Sequence, residues 1–254
     1  MKTFFFISVL SMALNSIADG GSQSISYGNG AYEGYLAAPK NVKPNTPAIL
    51  MVHNWMGVTD ETKRQADRFA ELGYIVFAAD IYGKGVRPKD AKEAGTLATK
   101  YKSDRKLFRE RLNLALSALR EQKNVDKNKI AVTGYCFGGT GAIELARSGA
   151  DVKGVISFHG GLDSPTPADG KNIKAQMLIH HGAIDPYVKA EDLAAFEKEM
   201  KDNKVNYNLI KYDGAVHSFT EKGAGTDISK GAAYNEAADR KSFESSKDFL
   251  KKIL

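Results

Sequence analysis

Short apolar runs recur along this chain, each separated by a segment long enough for a helix, and that alternation constrains the fold more than any single residue. The runs lie at residues 48–52, 74–79, 129–133, 152–158, 176–180 and 207–212. Continuous apolar stretches of this length suit parallel strands buried on both faces. Residues 59–72, 90–100, 103–122, 190–201 and 232–252 read as helices, and another runs from a Gly-rich turn to about Arg147. Gly73 stops the first helix, and Ser103 or Asp104 caps the third. Leu107, Leu112, Leu116 and Leu119 fall close to one face of that third helix. Strand alternating with helix predicts an α/β fold with a mostly parallel central sheet and helices on both faces. Residues 20–30 read as a flexible start and 32–37 as an edge strand. No Ser/Gly/Pro-rich linker divides the 254 residues, so residues 19–254 are expected to form one domain. A hydrophobic fraction of 43% with 26% charged residues supports one sizeable core.

The N-terminus follows other rules. Met1-Lys2 precedes an apolar run from Phe4 to Leu14, and Ser16-Ile17-Ala18 offers small residues where a signal peptidase cleaves. Residues 1–18 therefore read as a signal peptide, and the protein as exported, periplasmic or secreted. The alternatives are an uncleaved anchor, a buried strand or a cytoplasmic protein. The run falls short of the roughly 20 residues a membrane span needs. The net charge of +6 is spread along the chain as isolated lysines. Neither a nucleic-acid partner nor stable membrane association after cleavage is expected from that pattern. Nothing in the sequence sets the oligomeric state.

The chain has one cysteine. It cannot form an internal disulfide, so it is packing, an intermolecular link or a reactive thiol. Its setting is Gly134-Tyr135-Cys136-Phe137-Gly138-Gly139, after a β-branched strand and before a helix containing Ile143, Leu145 and Ala146. This is the G-x-C-x-G form of the nucleophile elbow, the hallmark of the α/β-hydrolase fold. A sharp turn needs neighbours without a Cβ, which Gly134 and Gly138 supply. The sulfur then sits at a helix N-terminus, where the dipole favours a thiolate. The Phe137 backbone N–H is left free for an oxyanion.

In this fold an acid and then a base follow the nucleophile along the chain. His180-His181-Gly182-Ala183-Ile184-Asp185-Pro186 puts Asp185 just beyond one strand. Tyr212-Asp213-Gly214-Ala215-Val216-His217-Ser218-Phe219 puts His217 beyond the next. Cys136, Asp185 and His217 thus form an expected catalytic triad. Val52-His53-Asn54-Trp55-Met56-Gly57 follows the first core strand. The backbone N–H of Trp55 is expected there as the second oxyanion donor. Each residue alone has a dull reading, as a turn aspartate, a loop histidine or a packing tryptophan.

Together these motifs, with Asp80, Tyr82 and His159-Gly160-Gly161, resemble the dienelactone hydrolase family from about Tyr27 to the C-terminus. The resemblance implies hydrolysis of a small ester or lactone through an acyl-thioester on Cys136, without metal or cofactor. It implies an oxyanion hole at Phe137 and Trp55. Two positions depart from the family's pattern. Its thiol-gating glutamate falls at Asn54, so thiol activation must rest on His217 and the helix dipole. Its substrate-binding arginine falls at Glu221, which favours a neutral ester or lactone over an anionic one. Arg105 and Arg109 are the alternative cations, with a helix-surface role as the simpler reading. Asn54, Tyr135, His159 and Glu221 are the expected pocket residues, although His159 equally suits a histidine satisfied by backbone. The histidines lack zinc-type spacing with an acid outside the triad, so no metal is expected. A silent α/β-hydrolase-fold binding protein is the alternative function, since Asn54 cannot gate a thiol.

Overall fold

The structure is a computed structural model and describes residues 20–254. The expected signal segment, residues 1–18, lies outside the described residues. Eight strands form one sheet in the order β1-β2-β4-β3-β5-β6-β7-β8. They are β1 Gly21–Tyr27, β2 Tyr32–Ala38, β3 Thr46–Val52, β4 Ile75–Ala79, β5 Val125–Tyr135, β6 Gly154–Phe158, β7 Gln176–Gly182 and β8 Tyr207–Tyr212. β3 pairs in parallel with β4 and β5, and the parallel ladder continues through β6, β7 and β8. Only β2 runs against the rest, pairing antiparallel with β1 and β4.

The N-terminal part differs from expectation. Residues 21–27 are ordered as an edge strand rather than a flexible start, and β2 is covered on both sides. The polar sequence GSQSISY hides this strand, because an edge strand buries little and needs few apolar residues. Its hydrogen bonds come from β2, which the local sequence does not report.

The helices are α1 Asp60–Ala70, α2 Ala91–Ser103, α3 Arg105–Arg120, α4 Phe137–Arg147, α5 Ala190–Asp202 and α6 Glu236–Ile253. Asp104 is the cap that separates α2 from α3, and its carboxylate accepts the Leu107 N–H at 2.9 Å. Strand pleat divides the core in two. Leu50, Phe77, Val132 and Val155 pack with Phe108, Leu112, Ile143 and Phe196 of α3, α4 and α5. Ile49, Met51, Ala131 and Ile156 pack with Phe69 of α1 and Leu250 of α6. Among the described residues no helix is long and apolar enough to cross a membrane.

Because β3, β5, β6, β7 and β8 are parallel and adjacent, their carboxyl ends open on one edge of the sheet. The segments that follow them carry Trp55, Cys136, His159, Asp185 and His217. The connections diverge between β3 and β5, the switch point where open α/β sheets form clefts.

Candidate active site

Cys136 stands between the last residue of β5 and the first of α4, with φ 55° and ψ −117°. That is a strained conformation for a side chain with a Cβ, held only where surroundings over-determine it. Two contacts do so. The Cys136 N–H donates to the Phe158 carbonyl at 3.0 Å and to His159 Nδ1 at 3.2 Å. The flanking glycines answer to close approach rather than to unusual φ. A Cβ on Gly134 would lie 2.0 Å from the Gly138 oxygen. One on Gly138 would lie 2.1 Å from the Val52 oxygen and 2.5 Å from that of His53. The start of α4 is thereby pressed against the segment that leads to Trp55.

That segment is fixed from within. The Ile81 N–H donates to His53 Nε2 at 3.2 Å, so Nδ1 carries the proton and donates to the Asn54 carbonyl. Burial pushes the His53 pKa down to about 4, which keeps the ring neutral. The Asn54 side chain accepts the Met56 N–H at 2.9 Å, closing a tight turn around Trp55. The Tyr82 hydroxyl donates to the Trp55 carbonyl at 2.9 Å. Among the described residues, the backbone N–H groups of Trp55 and Phe137 find no intramolecular acceptor. The Phe137 ring is wedged between Phe108 and His53, at 4.6 and 5.8 Å between centroids.

Asp185 and His217 meet. His217 Nδ1 lies 2.8 Å from Asp185 Oδ2, while Asp185 Oδ1 accepts the Tyr187 N–H at 2.9 Å. The Asp185 side chain is fully buried. His217 is anchored by its own backbone: its N–H donates to Gly231 and its carbonyl accepts from Ala233. Burial pushes the His217 pKa down, but the electrostatic influence of Cys136 and hydrogen bonds to Asp185 and Cys136 outweigh it. The imidazole is held well above its ordinary value. The three residues expected from sequence are therefore brought together by β5, β7 and β8. Tyr187 completes one wall, its ring edge-on to His217 at 5.2 Å and its side 62% exposed.

The expected pocket residues divide. Asn54 and Glu221 adjoin, with Asn54 Nδ2 donating to Glu221 Oε2 at 3.2 Å. Burial raises the Glu221 pKa, against the pull of Asn54 and the His217 charge, and its Oε1 is buried without a hydrogen-bond partner. Tyr135 and His159 do not line an open pocket. Tyr135 is buried on the α1 side, where its hydroxyl donates to Gln65 at 3.1 Å. Strand pleat sends its side chain to the face opposite the core packed by α4. His159 is wholly buried beneath His217.

Arg105 and Arg109 are not loose helix-surface residues. Arg105 is 8% exposed and ion-paired to Asp163, and Arg109 bonds Glu144 and Asp169 at 2.8 and 2.7 Å. Both belong to a buried network in which Arg147 also binds Glu144 and Glu199. Local sequence gave little sign of it, because its partners come from α3, α4, α5 and the β6–β7 connection. His180 is spoken for as well, between Ser246 and the Tyr212 hydroxyl at 2.9 and 2.8 Å. Sequence carries no local signal for Thr220 or Tyr187, whose side chains the fold places against His159 and His217 respectively.

An eight-stranded, mostly parallel sheet with a strained elbow at its switch point defines an α/β-hydrolase fold. The chain belongs to the dienelactone hydrolase family, whose sequence profile matches residues 32–254. It is by that membership a carboxylic ester or lactone hydrolase. Among solved structures, "m3DLH" superposes with a TM-score of 0.88 at 31% identity, over 92% of this chain and 99% of that one. The "Dienelactone Hydrolase-like Promiscuous Phospotriesterase P91 from Metagenomic Libraries" superposes at 0.86, with the same identity and coverage. A Bradyrhizobium sp protein described as "Probable 2-oxo-3-(5-oxofuran-2-ylidene)propanoate lactonase" is 28% identical over 197 residues, 74% of this chain and 78% of its own.

Proposed function

We propose that the protein hydrolyses small neutral esters or lactones with Cys136 as nucleophile, His217 as base and Asp185 as its orienter. The observation that supports this is the 2.8 Å contact of His217 with buried Asp185, beside a cysteine in the strained elbow conformation. The chemistry follows from the arrangement. The Cys136 thiolate attacks the carbonyl carbon, and the oxyanion is received by the N–H groups of Phe137 and Trp55. The tetrahedral intermediate collapses to an acyl-thioester, and the departing alkoxide takes its proton from His217. Water then attacks the thioester and gives a proton to His217. Collapse expels the Cys136 thiolate and releases the carboxylic acid, with the proton from water left on His217 as at the start. No metal or cofactor is required by these steps.

Neutral substrates are favoured because the acid at Glu221 adjoins Asn54 and the candidate cations Arg105 and Arg109 are engaged with carboxylates. By likeness to P91, neutral phosphotriesters are a second substrate class worth assaying at the same thiol. Residues 1–18 address this activity to the periplasm or the exterior.

The deciding experiment compares wild type, Cys136→Ala and Cys136→Ser on matched neutral and anionic aryl esters, with stoichiometric alkylation by iodoacetamide. Alkylation of one thiol should abolish turnover, the alanine variant should be inactive while folded, and the serine variant should keep a trace. Turnover by Cys136→Ala would overturn the mechanism. A preference for anionic esters would overturn only the substrate assignment.

A further inference from the structure

The reaction above leaves one buried titratable side chain between nucleophile and base without a role. His159 follows β6 with φ 39°, a left-handed conformation uncommon for a residue other than glycine. Its backbone N–H donates to the His180 carbonyl at 2.8 Å, and its side chain is wholly buried. The turn it opens interlocks with the elbow. A Cβ on Gly160 would lie 2.7 Å from the Gly139 carbonyl carbon, and one on Gly139 would lie 2.8 Å from Gly160 Cα. Two strained turns, at Cys136 and at His159, are therefore packed against each other.

The two ring nitrogens point to different parts of the site. Nδ1 faces the Cys136 N–H at 3.2 Å, and Nε2 faces Thr220 Oγ1 at 2.8 Å. A backbone N–H can only donate, so Nδ1 must be the acceptor and the proton must sit on Nε2. Nε2–H then donates to Thr220, three residues beyond His217 in the same loop. The amide of the nucleophile thus fixes the tautomer of a ring that holds the loop of the base.

We propose that His159 is a positioning residue: a neutral imidazole, locked as the Nε2–H tautomer, that fastens the Cys136 amide to the loop carrying His217 so that sulfur and imidazole stay in register. The proposal rests on the triad reading given above. The groups facing the ring agree with a neutral form. His217 lies edge-on at 5.2 Å, Phe219 at 5.1 Å and Tyr135 at 6.1 Å, and no carboxylate is among its influences. Burial first, and then the charges of His217 and His180, hold its pKa well below the ordinary value. A proton on Nδ1 would oppose the Cys136 N–H and break the bridge.

Three variants test this. His159→Gln offers an amide oxygen and N–H at a spacing close to that of the ring nitrogens. His159→Phe keeps the ring volume without either. Thr220→Val removes only the acceptor. Misplacement of reacting groups by about 1 Å costs about 100-fold, so His159→Phe should lower kcat by that order with KM changed little. His159→Gln should recover much of the loss, and Thr220→Val should fall between. The rate of iodoacetamide alkylation of Cys136 against pH, read without substrate, should lose its wild-type profile in His159→Phe and regain it in His159→Gln. Wild-type kcat and alkylation in a folded His159→Phe would overturn the proposal. Should that variant not fold, unchanged kcat in Thr220→Val would do the same. Failure of the triad reading looks different: the esterase would survive alkylation altogether.

Discussion

Asn54 Nδ2 donates a 3.2 Å hydrogen bond to Glu221 Oε2, joining the turn that presents Trp55 to the loop that presents His217. The two positions where the chain departs from the pattern of its family are thus partners. They lie 167 residues apart in sequence.

The titration of Glu221 should be visible in stability. Its folded pKa is raised by burial above the ordinary 4.5, so the folded state holds the proton more tightly than the unfolded state. The native state therefore binds more protons once pH rises past 4.5, and stability falls with pH from there up to the raised value. Glu221→Gln keeps an acceptor for Asn54 and removes the titration. Its melting temperature should exceed that of wild type at neutral pH, and the gain should vanish below pH 4.5. A gain independent of pH would mean that burial of the charge is not the cause.

The proposed mechanism sets the order of losses among Cys136, His217 and Asp185. His217→Ala should remove nearly all turnover, since the other imidazole at Cys136, that of His159, is engaged by the Cys136 backbone N–H and by Thr220. Asp185→Asn leaves the imidazole in place but accepts less well from Nδ1–H, and should lower kcat by up to about 10⁴-fold. Wild-type kcat in Asp185→Asn would place the orienting acid elsewhere. Stopped-flow assays on a neutral aryl ester measure both.

Arg147 should be the most sensitive charged residue for folding. It is fully buried between Glu144 and Glu199. Removing Glu199 leaves Arg147 with Glu144 alone, a carboxylate it shares with Arg105 and Arg109, and breaking a buried pair in this way costs up to about 3–5 kcal/mol. Glu199→Ala should therefore lower unfolding free energy by that amount in urea titrations. A change within 1 kcal/mol, on the order expected of exposed pairs, would show that water reaches the network.

The mature protein should begin near Asp19. Intact-mass measurement on protein from its native cell should find the chain short of its first 18 residues. A full-length mass would mean a tethered or cytoplasmic enzyme.

The sequence by itself determined the alternation of strand and helix, the position of the elbow, and the order nucleophile, acid, base. These are local properties: apolar runs of strand length, glycines where a Cβ has no room, and a loop after each strand. Parallel pairing then requires that the ends of β5, β7 and β8 share an edge, which sets Cys136, Asp185 and His217 along it. The tertiary structure alone decided the rest. The edge strand β1 draws its hydrogen bonds from a partner, and its composition is that of a polar loop. Tyr135 ends β5 and His159 follows β6, yet strand pleat and a left-handed turn send their side chains into the interior. Arg105 and Arg109 look like solvated helix residues because their carboxylate partners lie 35 to 60 positions away. Whether a polar side chain is free for a substrate depends on what long-range packing brings against it, and residue type and spacing carry no record of that.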